Sequence, residues 1–242
     1  MITNEEHWGS YTLVTMSDIG SNHRAMLMPN QDFVGYCIDG EDFVIAVSDG
    51  VGSCCKADLG AICAVEVCTE IFKRLKNRAS AFEDDAIAEE LILSWCSALK
   101  GNSIDDCCTT LKAIIKIGNT AKLISIGDGF AAITSDGFEI ISPSEKSGFT
   151  NETHCLSATT LPNDIWVRDF RLDLRKSYAM MCCTDGVANG IIDGKEIELV
   201  KDIETSTRSD ELKSELESFL IEISKYCFDD RTVGVVKYEW KN

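Results

Sequence analysis

Phe43–Gly50 reads FVIAVSDG and Ala179–Gly186 reads AMMCCTDG. Each is an apolar run of strand length that ends in Asp-Gly. A half-buried strand alternates apolar and polar residues, whereas these two are apolar throughout, as expected of strands inside a core. A carboxylate at the end of such a strand is partly desolvated, which is costly unless a cation or hydrogen bonds compensate. Asp49 and Asp185 are therefore the first candidates for chemistry. Their oxygen donors suit hard cations such as Mg²⁺ or Mn²⁺; the alternative is that backbone amides cap them.

Outward from these strands, FVGYCID (Phe33–Asp39) precedes the first, with Asp39–Gly40 as a hairpin turn. YTLVTMSDIG (Tyr11–Gly20) is a further strand ending at a glycine. From Lys56 to Arg78, Leu59, Ile62, Val65, Val67, Ile71 and Leu75 recur at helical spacing, and a second helix is expected over Glu83 to Leu99. TTLKAIIKIG, AKLISIGDG, FAAITSDG and FEIIS form an antiparallel meander, and DIWVRDFRLDL alternates as a strand. A helix is expected from Asp210 to Tyr226, and RTVGVVKYEW closes the chain as a strand. Strand blocks flanking helix pairs imply an α+β layered sandwich rather than alternating βαβ units. No linker or repeat interrupts residues 1–242, so one domain is expected.

The 242 residues carry 40 acidic and 23 basic side chains, a net charge of −17. That balance argues against nucleic acid or an anionic membrane surface as partner. Twelve cysteines occur without C-x-x-C spacing, and the one with an arginine six positions on, Cys68 before Arg74, falls within the helical periodicity of Lys56 to Arg78 rather than in a loop. A zinc ribbon and a cysteine-dependent tyrosine phosphatase are both disfavoured. The start MITNEEHWGS lacks the pattern of a signal peptide, and no apolar run reaches membrane-spanning length. Free thiols in a reducing cytoplasm are the expectation.

Asp-Gly occurs six times, at Asp39, Asp49, Asp128, Asp136, Asp185 and Asp193. The pair is a turn signal, and Asp39, Asp136 and Asp193 read as turns. The ordered series NQD (Asn30–Asp32), VSDGVGS (Val47–Ser53), CCTTLKAII (Cys107–Ile115), SIGDGFAAI (Ser125–Ile133), CCTDGV (Cys182–Val187) and DDRTVGVV (Asp229–Val236) resembles the motifs of type 2C metal-dependent serine/threonine phosphatases. A compact bacterial branch is the nearer likeness, through Gly20–His23 and the NET segment Asn151–Thr153. The resemblance runs from about Ser10 to about Tyr238.

The resemblance implies a four-layer α/β/β/α sandwich of two antiparallel sheets flanked by helix pairs. It also implies hydrolysis of phosphoserine and phosphothreonine in proteins by a hydroxide bridging two divalent cations, Mn²⁺ or Mg²⁺. Asp32, Asp49 and the Gly50 carbonyl would hold one ion, and Asp49, Asp185 and Asp230 the other. Asp128 with Asp185 would match a weaker third position, although Asp128 equally reads as a plain turn. His23, followed by Arg24, stands where better-known members have a phosphate-gripping arginine; on a strand the two side chains would face opposite ways.

Gln31 replaces a glutamate of the pattern, Val51 a histidine, and Arg231 the asparagine after the last ligand. Arg231 would orient Asp230 or contact phosphate. These changes motivate an alternative, an inactive scaffold or regulatory module of the same fold; a third reading is a hydrolase of small phosphoesters. Substrate, cognate kinase, leaving-group acid, the part played by residues 142–164 and oligomeric state are not legible, although nothing in the sequence calls for more than a monomer.

Overall fold

A computed structural model describes residues 1–77, 84–143 and 154–241. The NET segment lies outside the described residues. Eleven described strands build two antiparallel sheets. The first sheet comprises β1 (Ile2–Trp8), β2 (Tyr11–Asp18), β7 (Phe130–Ser135), β8 (Phe138–Ile141), β10 (Tyr178–Cys183) and β11 (Arg231–Tyr238), ordered β1-β2-β11-β10-β7-β8. The second comprises β3 (Asp32–Asp39), β4 (Asp42–Asp49), β5 (Leu111–Ile117), β6 (Thr120–Ile126) and β9 (Trp166–Arg171), ordered β3-β4-β5-β6-β9.

The apolar runs are explained by what covers each face. On β4, Val44 and Ala46 pack toward the helical layer of α2 (Ala57–Lys76) and α3 (Asp84–Ala98). Phe43, Ile45 and Val47 point the other way, into the core between the sheets. On β10, Tyr178, Met180 and Cys182 share that central core, while Ala179, Met181 and Cys183 face α5 (Glu196–Thr205) and α6 (Leu212–Ile223). Every position of Phe43–Ser48 and of Tyr178–Cys183 is buried, so period-two alternation disappears from the sequence although it persists in the structure. The sheets touch closely at Gly234, where a Cβ would stand 2.4 Å from Ile45 Cδ1.

The layers agree with the α/β/β/α sandwich implied by the resemblance, and the expected helices appear within a few residues of their limits. Two of the longer elements escaped the sequence reading. β1 is polar and exposed at its edge, with ITNEEHW offering no apolar face. Helix α5 buries only Val200 and Ile203 on an otherwise acidic surface. Two expectations are corrected. The expected four-strand meander is divided, with β5 and β6 in the second sheet and β7 and β8 in the first. His23 and Arg24 are not on a strand. They lie in a short helix, α1 (Ser21–Met26), which ends on Leu27 in the left-handed conformation at φ 56°. Helical geometry therefore separates their side chains by about 100° rather than 180°. Among the described residues no helix is long and apolar enough to cross a membrane.

Candidate metal centre

Antiparallel pairing brings the acidic residues to one end of the sandwich. Asp32 begins β3 and stands opposite Asp49 at the end of β4. Cys183, at the end of β10, pairs with Phe130 at the start of β7 and with Val233 near the start of β11. Asp128 lies two residues before β7, Asp185 follows β10 and opens a one-turn helix, α4 (Asp185–Ala188), and Asp229 and Asp230 precede β11. The other end is filled by aromatic rings, with Tyr11 stacked on Trp8, edge-on to Phe43 and Tyr178 and tilted against Tyr238.

Asp49, Asp128 and Asp185 each offer a carboxylate oxygen within 4.8 Å of the others. Asp32 lies behind Asp49, 6 % exposed, and accepts a 2.7 Å hydrogen bond from Thr184 Oγ1. The electrostatics record the crowding. Burial, reinforced by the charge of Asp230, pushes the Asp32 carboxyl up to about 7 against the opposing pull of Thr184. Burial and then the charges of Asp128 and Asp229 push Asp185 up to about 7. Burial followed by the charges of Asp32 and Asp185 raises Asp49 well above the usual carboxylate range. An all-carboxylate site held at such cost suits a hard divalent cation, which would return every member to its ionised form.

Glycine conformation separates the six Asp-Gly pairs. Gly40, Gly129, Gly137 and Gly194 have positive φ, as turns require. Gly50 and Gly186 do not; they are small because backbone presses against them. A Cβ on Gly186 would stand 1.9 Å from the Asp230 carbonyl oxygen, and one on Gly50 would stand 2.6 Å from the Ala57 carbonyl carbon. The pairs after the two buried strands are thus packing contacts at the acidic end and not turns. Asp128 belongs to both classes, since it precedes a turn glycine and also joins the acidic trio.

The last motif is arranged differently from expectation. Asp230 lies outside the trio, 2 % exposed. Its Oδ1 accepts from the Gly20 amide at 2.6 Å, and its Oδ2 from the Gln31 amide at 2.7 Å and His23 Nδ1 at 2.8 Å. Asp230 therefore clips the segment around α1 and the start of β3 to β11. The preceding Asp229 is the member of the pair whose charge bears on Asp185. Arg231 does not reach outward for phosphate. It is 3 % exposed, donates to the carbonyls of Cys227 and Asp229 at 2.8 and 3.0 Å, and pairs with Asp18 at 2.7 Å. Arg24 donates to the other oxygen of Asp18, also at 2.7 Å.

Sequence reasoning also passed over the threonines of β5's approach. Thr110 donates its amide to the Asp49 carbonyl at 2.8 Å and accepts the Asp49 amide on Oγ1 at 3.1 Å. Thr109 Oγ1 donates to the same carbonyl at 2.8 Å. The repeated Thr-Thr was the available signal. All twelve cysteines are free thiols, and burial pushes Cys68 up to about 12 and Cys182 well above its usual value, so these core thiols are poor nucleophiles.

The family model for protein phosphatase 2C matches residues 19–221. The chain belongs to that family. As a protein phosphatase 2C it is a metal-dependent phosphoprotein phosphatase. Solved structures share the fold. RsbX in complex with magnesium superposes with a TM-score of 0.69 at 12 % identity, covering 98 % of this chain and 100 % of its own. The catalytic domain of the serine/threonine phosphatase PstP, in complex with two manganese ions, gives 0.64 at 17 %, covering 95 % and 99 %. The phosphatase domain of SpoIIE from Bacillus subtilis gives 0.57 at 16 %, covering 98 % and 96 %. No curated protein matches the chain.

Proposed function

We propose that this phosphatase holds its catalytic cations, Mn²⁺ or Mg²⁺, on Asp49, Asp128, Asp185 and Asp229, with Asp32 and the Gly50 carbonyl completing the set. The observation that carries this reading is the meeting of Asp49, Asp128 and Asp185 within 4.8 Å from three separate strand ends. Bound divalent cations would acidify water near neutral pH and offset charge on the phosphoryl oxygens. Asp49 stands between Asp32 and Asp185 electrostatically, which suits a ligand shared by two ions. Asp230 takes the part of an anchor: it fixes His23 by Nδ1. His23 is the group we assign to the phosphate, with Arg24 beside it on the same helix, tied to Asp18. Asn189 Nδ2 donates to Asp185 Oδ2 at 3.3 Å.

The substrates are phosphoserine and phosphothreonine in proteins. Twelve free thiols support a reducing, cytoplasmic setting. The test is hydrolysis of a phosphothreonine peptide and of p-nitrophenyl phosphate with and without Mn²⁺. Activity on the peptide that requires the cation is expected. Equal turnover after chelation would overturn the reading, and turnover of the small ester alone would move the substrate class.

A further inference from the structure

Lys112 is one of two buried lysines on β5, neither of which the reaction uses. It lies in the apolar run of CCTTLKAII, is 1 % exposed, and points between the sheets, where Ile114 follows it into the central core. Its ammonium group donates to Ser125 Oγ at 2.7 Å and to the Gly127 carbonyl at 2.6 Å. A buried ammonium is expensive, and a plain apolar residue would fill the position at lower cost. What it grips is informative. Gly127 is the residue before Asp128, and it sits at φ +88°, a conformation only glycine adopts easily. Its α-carbon is wedged against Thr110, whose methyl would stand 2.6 Å from a Cβ placed there. Thr110 in turn holds both backbone groups of Asp49. One short segment thus fixes Asp49 through Thr110 and the peptide leading to Asp128 through Lys112.

We infer that Lys112 is a positioning residue for the metal centre, setting the place of Asp128 through the Gly127 carbonyl. The inference rests on the proposed ligand set. It implies that Lys112 acts on the ion to which Asp128 contributes and does so only through Asp128.

The experiment is calorimetric titration with Mn²⁺ of the full-length wild type, Lys112→Met, Asp128→Asn and the double variant. Thermal denaturation in chelator checks that each is folded. Lys112→Met is expected to weaken the lower-affinity Mn²⁺ event about tenfold, and to have no further effect once Asp128→Asn is present. Ser125→Ala, which removes one acceptor and leaves the charge, is expected to weaken the same event about threefold; it serves if Lys112→Met does not fold. Unchanged Mn²⁺ binding in Lys112→Met, or in Ser125→Ala where that variant must stand in, would overturn the inference. So would a loss that persists undiminished in the Asp128→Asn background. Wild-type protein that binds no Mn²⁺ would instead remove the ligand set itself, so the two failures are told apart.

Discussion

Asp32 and Asp49 are direct partners across the β3–β4 ladder, two carboxylates in register at the same end of one hairpin. Like charges at such a position repel by an amount comparable to the gain from an opposite pair, and here both are also drawn out of water. Nothing about folding the hairpin requires them. The arrangement is paid for by the core strands that carry it, and its use is to present oxygen ligands on rigid supports.

Removing one of those carboxylates should separate activity from stability. Asp49→Asn and Asp185→Asn are each expected to lower Mn²⁺-dependent turnover of a phosphothreonine peptide by roughly 10²–10³-fold, the scale of a lost transition-state contact. In chelator the same variants should melt higher than wild type, by an amount on the order of 1 kcal/mol, since repulsion is relieved. Turnover together with a lower melting temperature in chelator would contradict the cost assigned to the cluster.

The pH dependence of the metal-free protein has a definite sign. Asp32 and Asp185 hold their protons in the fold up to about 7, whereas a carboxyl of the unfolded chain releases its proton near the ordinary value of 3.8. Between those limits the folded state binds more protons than the unfolded one, so the contribution of these groups to stability falls as pH rises. Thermal melts of chelated protein should therefore decline from about pH 5 to about pH 8. Saturating Mn²⁺ should remove the decline and release protons on binding. A chelated protein that grew more stable over this range would refute the assignment.

Asp229 and Asp230 should respond in opposite ways to the same change. Asp230→Ala removes an acceptor from three N–H donors and leaves them buried, so a loss of about 2–4 kcal/mol is expected. Asp229→Ala should leave the melting temperature within a few degrees and weaken Mn²⁺ binding. Calorimetry and thermal denaturation on the two variants decide it: metal affinity lost with Asp230 alone would restore the sequence-based choice of ligand.

That pair also marks where the sequence stops being legible. Strands with both faces covered announce themselves as unbroken apolar runs, so Asp49 and Asp185 could be placed at strand ends before any coordinates. The DDR run gives no such anchor, because the first residue of β11 is an arginine and a shift of one residue exchanges ligand for clip. Gly20–Met26 carries neither strand nor helix signals, which left His23 and Arg24 on the wrong element. Lys112 was hidden for the opposite reason: within an apolar strand, one charged residue reads as an interruption and its partners lie on other strands.

Two Asp-Gly pairs that look alike in the sequence should behave differently when glycine becomes alanine. Gly40 has φ +66° and open space around it, so Gly40→Ala should cost about 1–2 kcal/mol through backbone strain and leave activity intact. Gly186 has ordinary φ, but its new methyl would press on the Asp230 carbonyl at 1.9 Å. That backbone cannot yield freely, since the Asp230 carboxylate is tied to Gly20, Gln31 and His23 and Arg231 grips the Asp229 carbonyl. The expected cost is about 1–3 kcal/mol from overpacking. It should come with weaker Mn²⁺ binding, because displacing this loop moves Asp229 relative to Asp185. If Gly186→Ala melted lower yet bound Mn²⁺ as wild type does, the contact would be structural only and Asp229 would lose its place among the ligands.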